Sequence, residues 1–509
     1  MNINTTEIMF PSLKKLPDVT CEQSIDAAFS LPDYYPEVSK ILKCIAEINV
    51  QTRQVRDGRV EIGGQAVLTL VYSDGDNSVN SFVHNCPFTK SLQIEGAVDG
   101  AFVSVTPKPG LINSKATAPR KLEVHGSFTM SVSVMLLEHQ KLLSSAGCDG
   151  LYTKVTDFDY AEPSEPVTKS VFFEDEISLG NNKPPVAKII RSSASAVVTD
   201  CKTVGNKAVV KGDVRICILY CPAGNGRPIL INEQRSFSQI IECDGLCEES
   251  KCECTANAVS LELHPKTSVD GEVRNIGFEC KINIDILSFK DAAVSFVTDA
   301  FSSDCQIDAE TVTVAAERME ETVNENYVCK KSLDFSDGAL GEISDLWCRS
   351  FVDYASCDGR DILVKGTITI WILGSDKDAA PCLIERSIDY EYRYTVEGEG
   401  EIRCSPKVSV AAVNYSQNSD GGVDVAIELN VSATVFSAVT LKALCKVSEV
   451  EGRPASKDDE TAVTLYFAEG ETVWDIAKKY YASPQKICAA NEIEDSETVC
   501  NKMLLIPNN

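Results

Sequence analysis

The sequence predicts a mainly β chain: three tandem β-sandwich-like repeats, each with a short helix, followed by a small C-terminal α+β domain of βααβ order. Three observations predict it. One strand pattern occurs three times, at 60–72, 208–220 and 362–373, with Gly64, Gly212 and Gly366 at the same place in each copy, 148 and then 154 residues apart. Around each copy, apolar and polar residues alternate between polar turns, the period of half-buried strands. After residue 460 the period lengthens to that of helices.

The composition bounds the rest. A chain of 509 residues has room for about three or four domains. Its hydrophobic share of 44% can fill ordinary cores. A net charge of −27 argues against nucleic acid, since nothing neutralises phosphates, and against an anionic membrane surface. The first twenty residues lack the apolar run of a signal peptide, and no stretch reaches the ~18 apolar residues of a membrane span. The expectation is a soluble cytoplasmic protein without membrane insertion. Its 21 cysteines, scattered and odd in number, then read as reduced, small, buried hydrophobes.

In chain order, 1–27 is a lead-in, 28–148 the first repeat, 149–298 the second with its connector and 299–445 the third. A flexible linker over 446–460 and the terminal domain over 461–509 complete the chain. Leu31-Pro32-Asp33 leads to Pro36, which suits the first position of a short helix whose Val38, Ile41 and Leu42 share a face. The second repeat offers Pro184, Val186, Ile189 and Ile190 at the same spacing. The glycine-containing strand follows, and a glycine there marks a bulge or a close backbone approach. Turns at 73–77 and 222–226 come next. Further strands are expected at 88–94, 237–241 and 388–394, and closing strands at 122–134, 276–287 and 423–436. The connectors also repeat: 149–153 corresponds to 299–303, so they belong to the repeat.

These repeats resemble the SPOCS domain of SipL-type spore coat assembly proteins of Clostridia and their relatives. The resemblance rests on the Leu-Pro-Asp-x-x-Pro segment, the Lys-Gly strand with its Leu-Tyr end, and the connector Thr298-Asp299-Ala300-Phe301-Ser302. The second copy fits best. The third lacks the proline-led segment, having Gly341-Glu342-Ile343 there, and Leu373-Gly374 replaces the Leu-Tyr end.

In the terminal domain, 463–467 reads as a strand and Gly470-Glu471-Thr472 as a turn, with Thr472 as a helix cap. Val473, Trp474, Ile476, Ala477 and Tyr480 form an apolar face. Ser483-Pro484 opens a second helix, with Ile487 and Ala490 inward and Asn491 ending it. Leu504-Leu505-Ile506-Pro507 closes the domain as a strand. This order and the run Gly470-Glu471-Thr472-Val473-Trp474-Asp475-Ile476-Ala477 resemble a LysM domain. Asn501 stands where that family has glycine, and Asn tolerates a left-handed turn. The resemblance implies a groove for N-acetylglucosamine polymers between two loops, lined by Ala468, Glu469, Gly470, Glu471, Thr472, Asn491, Glu492 and Ile493. Backbone groups would read the acetamido groups. Glu469, Glu471, Glu492, Glu494 and Asp495 make the groove acidic, which suits a basic protein better than peptidoglycan.

Nothing in the residues asks for catalysis, a metal or a cofactor. Cys243, Cys247, Cys252 and Cys254 lack the paired spacing of a zinc site. His84, His125, His139 and His264 have no ligand partner at i+3 or i+4. Trp347, Trp371 and Trp474 read as core residues. The resemblance to SipL implies a non-catalytic coat morphogenetic protein, working in the mother-cell cytoplasm at the forespore and spore coat surface. Its expected partners are the ATPase of the coat basement layer or other coat proteins. The alternative is a peptidoglycan-binding protein of the cell wall or spore cortex.

Overall fold

A computed structural model describes residues 3–223, 227–335, 340–398, 400–418, 422–454 and 463–507. It is mainly β, as expected. The first repeat comprises β1 (Asn4–Lys15), β2 (Val19–Ser30), β3 (Lys40–Arg56), β4 (Arg59–Ser73), β5 (Val79–Gln93), β6 (Phe102–Ala118) and β7 (Lys121–Gly147). The second runs β8 (Leu151–Pro163), β9 (Val167–Ser178), β10 (Val186–Val204), β11 (Lys207–Pro222), β12 (Ile229–Glu242), β13 (Lys251–Thr267) and β14 (Val273–Ser302). The third runs β15 (Cys305–Leu333), β16 (Ile343–Asp358), β17 (Asp361–Ser375), β18 (Pro381–Thr395), β19 (Ile402–Cys404), β20 (Lys407–Gln417) and β21 (Val423–Pro454). The terminal domain holds β22 (Val463–Phe467), β23 (Glu471–Thr472), α1 (Val473–Tyr480), α2 (Pro484–Asn491), β24 (Val499–Cys500) and β25 (Met503–Pro507).

Each repeat has two antiparallel sheets. One is a three-stranded meander, β3-β4-β5, β10-β11-β12 or β16-β17-β18. The other is built on a long final strand, β7, β14 or β21, with the repeat's first strands along one edge and β6, β13 or β20 along the other. One core lies between the two sheets: Ile62, Leu68 and Leu70 of β4 share it with Val124, Phe128 and Met130 of β7. Lys-Gly strands, flanked on both sides, thus alternate toward a buried face.

The expected proline-led helices do not form; among the described residues the only helices are α1 and α2. Residues 36–39 form no helix, and Lys40 opens β3. Bulges explain the misleading spacing. Register shifts between Ile41 and Lys43, and at Val186/Lys188 and Ile189/Arg191, each reset the in–out alternation. Apolar residues at i and i+3, such as Val186 and Ile189, then face the core of their own repeat, while Ile190 and Leu42 at i+4 face the cluster between the meanders. The segment has another role: buried Tyr72 donates its hydroxyl to the Pro36 carbonyl at 3.1 Å, and Tyr220 does so to Pro184 at 2.9 Å. The third repeat loses both halves of that contact together. Gly374 sits where a Cβ would meet the Glu342 carbonyl at 2.5 Å, so the chain passes through the space a tyrosine would need.

Three other expectations change. The lead-in is β1 and β2, paired with β7 along nearly its whole length. Pro17 and Pro166 break the first strand in repeats 1 and 2. Repeat 3 has Glu320 there, and β15 runs on past it with a bulge at Met319/Glu321. The linker expected at 446–460 is strand as far as Pro454, because Lys446, Val447, Ser448 and Glu449 pair with Glu310, Ala309, Asp308 and Ile307. Residues 455–460 of that expectation, and 224–226 of the expected turn, lie outside the described residues. The connectors are strands too, and they pair with each other: Leu151, Tyr152 and Thr153 lie opposite Ser302, Phe301 and Ala300.

The repeats close on one another. Phe10, Tyr160 and Val314, one from each first strand, pack with Leu142, Phe296 and Ala443, one from each last strand. The meanders meet in a second shared cluster of Val71, Leu219 and Leu373. Repeat 1 touches repeat 2 through Lys188 and Asn80 at 2.6 Å, and repeat 2 touches repeat 3 through Arg191 and Asp345 at 2.9 Å. Repeat 3 returns to repeat 1 through Arg349 and Glu47 at 2.7 Å.

Candidate functional site

The terminal domain is built from strong local signals. Thr472 caps α1: its hydroxyl accepts the Asp475 N–H at 3.1 Å, while the Asp475 carboxylate accepts the Thr472 N–H at 3.2 Å. Ser483 caps α2, which Pro484 opens. Tyr481 and Glu492 end the helices at φ 52° and 54°. Asn501 is not among the left-handed residues; those turns fall at the helix ends instead. Val473, Trp474, Ile476, Ala477 and Ile487 are buried against Leu504 and Ile506. Tyr480 is half-buried, and Ala490, expected inward, faces solvent on the last turn of α2.

The expected groove residues fall on two loops that the last strands tie together. Ala468 and Gly470 donate their N–H groups to the Lys502 and Cys500 carbonyls, both at 3.0 Å. Gly470 has φ +86°, a conformation that favours glycine. Glu471 and Thr472 form β23 against β24, a pairing the sequence did not suggest. Asn491 clamps β25: its amide donates to the Leu505 carbonyl and accepts the Leu505 N–H, both at 2.7 Å. The Ile493 N–H is held by the Cys488 carbonyl at 3.0 Å, and its side chain packs on the core. Glu469 and Glu492 are exposed. The Tyr466 hydroxyl donates to Glu471 at 2.6 Å and, with Lys479 beside it, holds that carboxyl below the usual range. Most of the loops' backbone donors are thus used inside the domain.

Two features were missed in the sequence. First, the domain is seated on the paired connectors. The Trp474 indole donates to Asp299 at 2.9 Å, and the Lys478 ammonium bonds the same carboxylate at 2.7 and 2.9 Å. Phe301 meets Trp474 edge-on at 5.1 Å and stacks on Tyr152 at 5.2 Å. Lys154 pairs with Glu497. Second, the two-stranded sheet β22–β25 turns an apolar face to solvent. Leu465 is 65% exposed, Phe467 54% and Met503 58%, and Val463, Val499 and Leu505 extend the patch. Leu465 lies opposite Leu505 and Phe467 opposite Met503, so one face of this sheet carries these residues and Val463, while exposed Val499 lies on β24. The alternation of Val463, Leu465 and Phe467 was the available signal; it shows that two faces differ but not which is covered.

The remaining candidates lie apart. His84 stacks on Phe29 at 4.4 Å, and His125 bonds Asp26 at 2.8 Å. Burial holds the His84 pKa down. Cys243 is buried, Cys247 contacts Ser250, and Cys252 and Cys254 lie on β13. Trp347 is stacked on Trp371 with Arg191 over its ring. Among the described residues no helix is long and apolar enough to cross a membrane.

Compared with known proteins, the chain matches the family described as SipL, SPOCS domain, over residues 37–117 and 185–266. No curated protein matches it, and no solved structure does. The two matched segments begin at the proline-led segments that receive Tyr72 and Tyr220, and they extend through β6 and into β13. Each of the first two repeats thus carries a segment matching the SPOCS domain, and the pair supports a SipL-type protein.

Proposed function

We propose that this protein is a non-catalytic scaffold of spore coat assembly, in which three β-sandwich repeats form a rigid platform and the terminal LysM-like domain is its docking head. The SPOCS match carries the sporulation reading. The head would work in the mother-cell cytoplasm, joining the ATPase of the coat basement layer, or other coat proteins, to the forespore surface. A protein partner is favoured over glycan by the apolar face of Leu465, Phe467 and Met503, bordered by the acidic loops of Glu469 and Glu492. Burying such a face contributes about 25 cal/mol per Å². The groove Ala468–Glu469–Gly470–Glu471–Thr472 with Asn491–Glu492–Ile493 remains the place where a sugar chain would lie, with its open φ +86° glycine at the centre.

The test sets the two ligands side by side. The full chain is incubated with purified coat ATPase and, separately, with purified peptidoglycan. Leu465→Asp is expected to cut retention by the ATPase at least tenfold and leave circular dichroism unchanged. Retention by peptidoglycan alone, lost on Gly470→Trp and untouched by Leu465→Asp, would establish the cell-wall reading instead. A fluorescent fusion that ignores the forespore would overturn the coat role.

A further inference from the structure

We propose that two thiol clusters, Cys201 with Cys252 and Cys254 in the second repeat and Cys357 with Cys404 in the third, are peroxide-reactive sites whose disulfides lock together the two sheets of each repeat. The Sγ atoms of Cys201 and Cys254 are 2.8 Å apart, and those of Cys357 and Cys404 are 3.3 Å apart. A disulfide at about 2.05 Å needs only about 1 Å more approach. All five side chains are half-buried, so a small oxidant reaches them while a folded protein does not.

The placement is what gives the pairs a consequence. Cys201 is on β10, in the meander, and Cys254 is on β13, in the opposite sheet. Cys357 is on β16, in the meander, and Cys404 is on β19, which pairs with β21 of the opposite sheet. Each bond would therefore cross the core edge from sheet to sheet, closing loops of 53 and 47 residues. Loops of that length restrict the unfolded chain strongly. The first repeat has Arg53 at the place of Cys201, paired to Ile62 as Cys201 is to Val210, so it serves as an internal control.

Chemistry favours the second repeat as the faster site. Cys252 lies two residues from Cys254 on the same face of β13, so a third thiol stands beside the close Cys201–Cys254 pair. Its thiol neighbours Cys201 and Cys254 hold the Cys252 pKa down and favour its thiolate, while Cys201 and Cys252 push Cys254 the other way. A thiolate attacks a hydroperoxide oxygen, giving a sulfenic acid and releasing water (or the corresponding alcohol) once a proton is taken up. A neighbouring thiol then attacks the sulfenic sulfur and a second water leaves. With hydrogen peroxide the balance is two thiols and one peroxide to one disulfide and two waters. Exchange inside the trio passes the bond between Cys252 and Cys254, and either partner of Cys201 ties β10 to β13.

The full chain is treated with a few equivalents of hydrogen peroxide, quenched, and mapped by peptide mass spectrometry with differential alkylation. Four of its 21 thiols are expected to disappear first, as links from Cys201 to Cys252 or Cys254 and from Cys357 to Cys404. The thermal transition should rise by roughly 5–15 °C and fall back on reduction. Cys201→Ser and Cys357→Ser should each delete one link and leave the other. If either variant does not fold, the alkylation order in the unmodified chain decides alone. Sulfinic acids without links, or links among other cysteines formed first, would overturn the proposal.

Discussion

Gly212 has no room for a methyl group. A Cβ there would lie 2.4 Å from the Val197 carbonyl and 2.5 Å from the Phe237 ring, and Gly64 and Gly366 meet Phe88 and Tyr390 in the same way. Each glycine sits directly opposite its aromatic residue, which covers it, and beside a bulge in the preceding strand, at Val50/Thr52, Val198/Asp200 and Val352/Tyr354. Both meanings of a strand glycine therefore apply at one position. Gly212→Ala is expected to lower stability by about 2–3 kcal/mol in chemical denaturation, since neither a backbone carbonyl nor a buried ring yields easily. A loss below 0.5 kcal/mol would contradict this packing. The glycine was legible because it recurs. Its ring partner was not, because Phe237 is 25 residues away and register depends on the turn between them.

At the level of elements, sequence periodicity was reliable where a helix faces one core and misleading where a bulged strand does. The caps Thr472 and Ser483 fixed α1 and α2 locally. Around Ile41 and Ile189 the bulges produced helical spacing in strands, and only pairing with β4 and β11 resolves it. The acidic loops of the candidate site were visible as composition, but the seat of the domain was not. Asp299 lies 175 residues from Trp474, and no local pattern announces that contact. Asp299→Ala leaves the Trp474 indole and the Lys478 ammonium without their shared acceptor. The cost of such a loss is about 1–3 kcal/mol. Hydrogen–deuterium exchange should rise in 299–302 and along α1, with β4 and β11 unchanged as references. Unaltered exchange in α1 would show that the apolar contacts to Phe301 and the Lys154–Glu497 pair hold the domain without the Asp299 carboxylate.

For the whole molecule, three copies in a row make a closed object, because the first and last strands of every repeat carry apolar residues on the face away from their own core. Phe10, Tyr160 and Val314 have nowhere else to be buried. Closure was not legible in the tandem repeat: the sequence shows the repeat, while closure depends on the outward face of long strands. The seam also holds a titratable group. Glu317 on β15 lines the hollow formed with Phe10, Tyr160 and Ala316, and faces Arg403 at 3.7 Å. Burial raises its carboxyl above the ordinary value, and Arg403 offsets this only partly. A folded-state pKa above the unfolded one means that the folded chain binds this proton more tightly. The associated stability is complete below the unfolded value of about 4.5 and is lost as pH rises through the raised folded value. At neutral pH Glu317 is therefore a cost to closure. Glu317→Gln is expected to raise the denaturation midpoint at pH 7–8, and the gain should shrink to nothing on acidification below about pH 4.5. A variant less stable than the parent at neutral pH would show that the Arg403 contact outweighs burial, and that the seam is held by charge as well as by its rings.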